Sequence, residues 1–170
     1  KIPDLQQTRT VSFSTSYNIL SICSFDHDEP YEEVIKAASL LNPDICVNIT
    51  GNYLKIQNNR LIQSLPQNLH FLGFLPEKDY IDYLYSVDAV MALTKWDYTL
   101  QCGAYEAVAA GKPLILSNKR DLLAYFDKGV ISTDNDAASI AKAIEKTIHE
   151  IENLNNKIEI LKNELHEKRE

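Results

Sequence analysis

The chain has no apolar run near the roughly 18 residues a membrane-spanning helix needs, so no span is expected in its 170 residues. Positive charge is scarce. There are 17 Lys and Arg against 24 Asp and Glu, a formal net charge of −7. That balance excludes the broad basic face a nucleic-acid partner requires. It also gives no long-range pull on an anionic small molecule, which local donors must hold instead. Cysteine is sparse too: Cys23, Cys46 and Cys102 are odd in number and far apart. Neither a disulfide frame nor a zinc pattern fits them, and reduced thiols in a cytoplasmic protein are the expectation. His27, His70, His149 and His166 are scattered, so no metal site is expected, and no Ser–His–Asp elbow is present. The opening residues "KIPDLQQTRT" lack an initiator Met and a signal-peptide core. The chain is therefore expected to be a segment of a longer protein, with residues 1–15 a leader or the remnant of an interdomain linker.

What remains is an ordinary globular composition, 45% apolar and 24% charged, enough for one domain and too short for two of usual size. Short apolar runs alternate with helical patterns along its length. Strands are expected in "YNILSICSF" (17–25), "DICVNITGN" (44–52), "NLHFLGFLP" (68–76), "DAVMALT" (88–94), "KPLILSN" (112–118) and "VIST" (130–133). Between them, "PYEEVIKAASLL" (30–41), "EKDYIDYLYSV" (77–87), "YEAVAAG" (105–111) and "RDLLAYFDKG" (120–129) have helical spacing, and 58–66 reads as a short helix or loop. A helix is expected from Asp136 to the end. Near-continuous apolar strands alternating with helices imply an α/β, Rossmann-like, doubly wound parallel sheet of about six strands with helices on both faces. The Rossmann-like unit spans 16–135, and 136–170 forms a long C-terminal helix. From Ile148 its apolar residues Ile151, Leu154, Ile158, Leu161 and Leu165 follow heptad-like spacing. Roughly three repeats are marginal for an isolated coiled coil. Packing on its own domain and self-association both remain open for this stripe.

Ligands of such sheets bind at the carboxyl ends of the strands. The segment "DYTLQCGAYEAVAAGKP" (97–113) lies at one such end. Thr99, Leu100, Gln101, Cys102 and Gly103 stand at a helix start, where backbone N–H groups lack partners and Gly allows close approach. These are the features of a phosphate site. Glu106, one turn further in, has two readings: it accepts the hydroxyls of a ribose, or it complements the helix dipole.

Four stretches carry a more specific likeness: "SFDHDEPYEEVIKAA", "LPQNLHFLGFLP", "VDAVMALTKWDYTLQCGAYEAVAAGKPLILSN" and "VISTDNDAASIAKAIEK". Over residues 16–150 they resemble the C-terminal, donor-binding domain of GT-B glycosyltransferases of the retaining, group 1 kind. The most specific piece is "GAYEAVAAGKPLILSN", similar to that family's Glu-Ala-(small)-Ala-x-Gly-x-Pro signature. The resemblance implies a nucleoside-diphosphate-sugar donor and no essential metal. It places the donor's ribose on Glu106, and an acceptor domain upstream. It also implies that Leu100 to Gly103 hold the diphosphate through their backbone, with Lys95 as a further partner. Gly73 and Phe74 would face the base, and Asp97, Tyr98 and Thr99 the sugar. Without its N-terminal half the fragment is expected to turn over little or nothing. Two departures stand out. Tyr98 occupies the position where the family keeps a further Glu, and the first strand–helix loop carries Asp26, Asp28, Glu29, Glu32 and Glu33 where an Arg and a Lys are common.

The same acids suggest a rival. Asp26 and Asp28 form an Asp-x-Asp at the end of a first strand. With the later "LILS" and "STDND", they mimic the motif order of Mg²⁺-dependent haloacid-dehalogenase-type phosphatases. A non-catalytic nucleotide-binding scaffold is the third reading.

Overall fold

Each apolar run pairs with its neighbours as a parallel strand. In the computed structural model, which describes residues 2–57 and 59–168, the strands are β1 (Tyr17–Ser21), β2 (Ile45–Thr50), β3 (Leu69–Gly73), β4 (Ala89–Ala92), β5 (Leu114–Ser117) and β6 (Val130–Thr133). They form one sheet of six in the order β3-β2-β1-β4-β5-β6, and every adjacent pair is parallel. The order reverses direction between β1 and β4, which opens a crevice at their carboxyl ends. The helices are α1 (Tyr31–Ser39), α2 (Asn59–Gln63), α3 (Glu77–Ser86), α4 (Cys102–Ala109), α5 (Arg120–Tyr125), α6 (Ala137–His149) and α7 (Ile151–Glu167). The expected start of the 58–66 helix at position 58, residue 1 of the leader, and residues 169–170 of the final helix lie outside the described residues.

Side chains alternate between the two faces of each strand, so the continuous runs feed two cores. Ile19, Val47, Met91 and Ile115 meet α1 and α6 through Val34, Ala38, Ile140 and Ile144. Leu20, Val90, Leu114 and Leu116 meet α3, α4 and α5 through Leu84, Ala104, Val108 and Leu122. The expected two-sided covering is therefore present.

The C-terminal segment differs from the single helix expected. It breaks at Glu150, whose N–H closes α6 on Lys146 and Ile148 carbonyls before α7 begins. The break lets the chain cross between faces: Leu154 belongs to the first core, while Ile158, Leu161 and Leu165 belong to the second. The apolar stripe is thus buried on its own domain. At the crossing Gly129 (φ 71°) lies against Ile158, where an added Cβ would come within 2.7 Å of the Ile158 backbone N.

The N-terminal segment is docked as well. Ile2 is buried in the second core. Thr8 donates its backbone N–H and its hydroxyl to the Asp82 carboxylate of α3, and Arg9 donates its N–H. Asp82 has no exposed surface. Its burial alone would raise the carboxyl, but these bonds and the Arg9 charge outweigh burial and hold it below the usual carboxylate range.

Candidate functional site

The carboxyl ends of β4, β5 and β6 are tied by a buried polar triangle. The Thr94 N–H donates to Ser117 Oγ (2.9 Å), Ser117 Oγ donates to Asn135 Oδ1 (2.6 Å), and Asn135 Nδ2 donates to the Thr94 carbonyl (3.0 Å). This rim launches the loop 93–101 in a fixed direction. Two contacts to the β1–α1 loop hold its first residues: Lys95 N–H donates to the Asp28 carbonyl, and Lys95 Nζ to the His27 carbonyl at 3.3 Å. The two loops that flank the switch point therefore form one edge. The mutual contacts of this rim depend on strand order, which sequence spacing does not carry.

Beyond Lys95 the loop turns outward. Tyr98 takes a left-handed backbone (φ 57°) with its side chain 88% exposed. Asp97 pairs with Lys119 (3.1 Å), and Thr99 Oγ1 caps the Asp97 carbonyl (3.3 Å). Lys119, from the β5–α5 loop, is a cation that sequence reading missed because the strand order alone brings it here. α4 then starts at Cys102, with Gln101 as a cap residue that makes no side-chain cap bond. Gly103 packs against Ile22 of the β1–α1 loop, so α4 points its N-terminus at the crevice.

Glu106 is half-buried one turn into α4. Its Oε2 accepts a hydrogen bond from the Tyr80 hydroxyl of α3. Burial pushes the Tyr80 phenol up and the neighbouring Glu106 carboxylate pushes it further, so the phenol keeps its proton. Tyr80 also lines a cleft of about 450 Å³ with Cys23, Thr50, Gly51, Phe74, Leu75 and Glu77. Phe74 is 87% exposed at its margin. Gly73 (φ 72°) has open space beside its Cα. Phe25, Tyr31, Tyr53 and Phe71 make edge and stacked ring contacts with one another.

The acidic loop is folded onto itself. Glu29 accepts from Ser24 N–H (2.8 Å) and Asp26 N–H (3.1 Å) and from the Cys23 thiol (3.3 Å). Phe25 between them has φ 58°, the alternation of backbone conformations that gathers N–H groups around an anion. Burial and the Glu29 charge push the Cys23 thiol up, so it stays protonated.

The Asp-x-Asp pair does not build the site that the rival phosphatase reading requires. Asp26 is exposed and bound to Lys55 at 3.0 Å, a contact that, with the Ser24 hydroxyl, lowers its carboxyl. Asp28 faces Thr94 Oγ1 at 3.4 Å. Glu29 turns the loop back before the two carboxylates can converge. Among the described residues no three His, Cys, Asp or Glu side chains gather as metal ligands.

Solved structures to which this chain is similar share its fold. Anabaena HepE, solved in complex with UDP-glucose, aligns with a TM-score of 0.72 at 14% identity, over 87% of this chain and 44% of that one. Sucrose-phosphate synthase from Thermosynechococcus elongatus aligns at 0.70 and 16%, over 88% of this chain and 41% of that one. The catalytic domain of the Helicobacter pylori cholesterol-alpha-glucosyltransferase aligns at 0.65 and 16%, over 87% and 99%. At these identities the likeness is one of fold, and the chain spans less than half the length of the first two. No curated protein sequence matches it significantly. The family described as "Glycosyl transferases group 1" matches residues 5–163, nearly the whole chain and every element of the crevice. With the α4 motif and the switch-point geometry inside that match, the chain belongs to the group 1 glycosyl transferases.

Proposed function

We propose that this chain is the C-terminal, donor-binding half of a GT-B transferase that moves a sugar, with retention, from a nucleoside diphosphate to an acceptor. The observation that carries the reading is the Glu106 carboxylate, one turn behind the N-terminus of α4 and held by Tyr80, which itself lines the cleft. A ribose seated there presents two hydroxyls to an acceptor-only group. The diphosphate then meets the backbone N–H groups of Leu100 to Gly103, where the helix end stabilises negative charge as the sugar–phosphate bond breaks. Lys95 and Lys119 are the nearby cations on the two adjoining loops. Asp97, Tyr98 and Thr99 face the sugar, with Tyr98 standing where a carboxylate is usual. Gly73 and Phe74 face the base. No step calls for a metal ion, because helix dipole and cations supply the compensation.

The acceptor site belongs to an upstream domain, consistent with the share of the similar structures that this chain spans. Turnover by the chain alone is accordingly negligible. The three free thiols suit the reducing cytoplasm.

Titration calorimetry with UDP-, GDP- and ADP-sugars tests the reading. One of them binds, and Glu106→Ala weakens it about ten- to hundredfold, the loss of hydrogen bonds to a charged acceptor. Unchanged affinity in Glu106→Ala refutes the ribose role. A second reading, a scaffold that binds no donor, is favoured by one feature: Glu29 already fills the N–H groups of the β1–α1 loop. Absence of heat with every nucleotide sugar at millimolar concentration selects it.

A further inference from the structure

Tyr80 is the one group among the described residues that hydrogen-bonds the Glu106 carboxylate, and it reaches across from a different helix to do so. The buried residues one turn to either side of Glu106 on this helix are Gly103, Ala109 and Ala110. They are too small to restrain a flexible glutamate. An unrestrained Glu side chain loses rotamer freedom on binding. The phenol removes that freedom beforehand, and because its own proton is retained it can only donate to Oε2 in this contact. Its ring meanwhile forms part of the cleft wall.

We propose that Tyr80 is a positioning residue: it fixes the Glu106 carboxylate so that the pair reads the 2′,3′-diol of a ribonucleotide and rejects deoxy analogues. The idea rests on the donor-binding reading above and deepens it. The fixed carboxylate keeps Oε1 for one ribose hydroxyl. The second hydroxyl is left to the remaining acceptor capacity of Oε2 and of the phenol oxygen. Discrimination then comes from oriented acceptors, and removing a ligand hydroxyl leaves one of them without a partner.

The test measures calorimetric affinities of the full chain for UDP, GDP or ADP, whichever binds tightest, and for its 2′- and 3′-deoxy counterparts. The natural chain should prefer the ribonucleotide by about tenfold or more. Tyr80→Phe, which keeps the ring and its packing, should weaken the ribonucleotide about tenfold and the deoxy analogues, which keep one hydroxyl for Glu106, by clearly less. In a Glu106→Ala background the same substitution should cost much less than it does beside an intact Glu106. Equal weakening of ribo and deoxy ligands by Tyr80→Phe would make Tyr80 a wall residue only and overturn the proposal. So would a preference that survives Tyr80→Phe while Glu106→Ala abolishes it, an outcome that leaves the donor-binding reading standing. No preference in the natural chain, or no binding of any of the three nucleotides, overturns both.

Discussion

At Gly103 a methyl group would sit 2.6 Å from Ile22 Cδ1 and 3.2 Å from its Cγ2. This contact sets how near α4 approaches the β1 loop. Gly103→Ala should destabilise the chain by about 1–3 kcal/mol through overpacking, and Ile22→Ala in the same chain should restore part of the loss, as urea midpoints will show. Asp82 offers a second test at this scale. Its carboxyl is held low in the folded chain, so its contribution is complete above the ordinary carboxylate range and is lost as pH falls through the lower, folded value. Urea midpoints of the natural chain should therefore fall more steeply than those of Asp82→Asn as pH drops below the ordinary carboxylate range. Sequence made Glu106 legible because its small-residue motif is local. Tyr80 was not legible. Tyr80, Tyr83 and Tyr85 all sit in one helical pattern, and nothing local says which of them meets an acid from another helix.

Elements are governed by periodicity, and periodicity reports a buried face without naming what buries it. The stripe Leu154, Ile158, Leu161 and Leu165 has heptad spacing, yet the helices that α7 packs on are α4 and α6 of the same chain. Leu161→Ala should cost about 2–5 kcal/mol. Ile160→Ala, on the half-exposed side, should change stability by no more than about 0.5 kcal/mol. Thermal unfolding of the pair checks the contrast. The break at Glu150 escaped sequence reading because the segment lacks Pro and Gly, the usual helix breakers. The turn is imposed by the need to pass from one core to the other. The contacts of the N-terminal segment escaped sequence reading for a related reason. Thr8 and Arg9 look like linker residues until Asp82 is known to be buried beneath them.

At the scale of the whole molecule, strand–helix alternation made the two-faced parallel sheet readable, since continuous apolar strands have no other way to be covered. Strand order was not readable in the same way, and the approach of Lys119 to Asp97 depends on it. The overall charge of −7 bears on binding of an anionic donor. Repulsion from the acidic surface is screened as salt rises, so the association rate should increase from about 10 mM to about 150 mM salt, where the Debye length shrinks to about 8 Å. Stopped-flow binding at graded ionic strength measures it, and a falling rate would mean that local cations dominate the approach.

The triangle of Thr94, Ser117 and Asn135 has a further consequence, in amide hydrogen exchange. Thr94, Lys95 and Trp96 each commit their N–H to a partner within the rim or the adjoining loop. Protection from deuterium should therefore persist through Trp96 and drop at Asp97. That step would mark the last residue belonging to the rigid frame and the first free to answer a ligand.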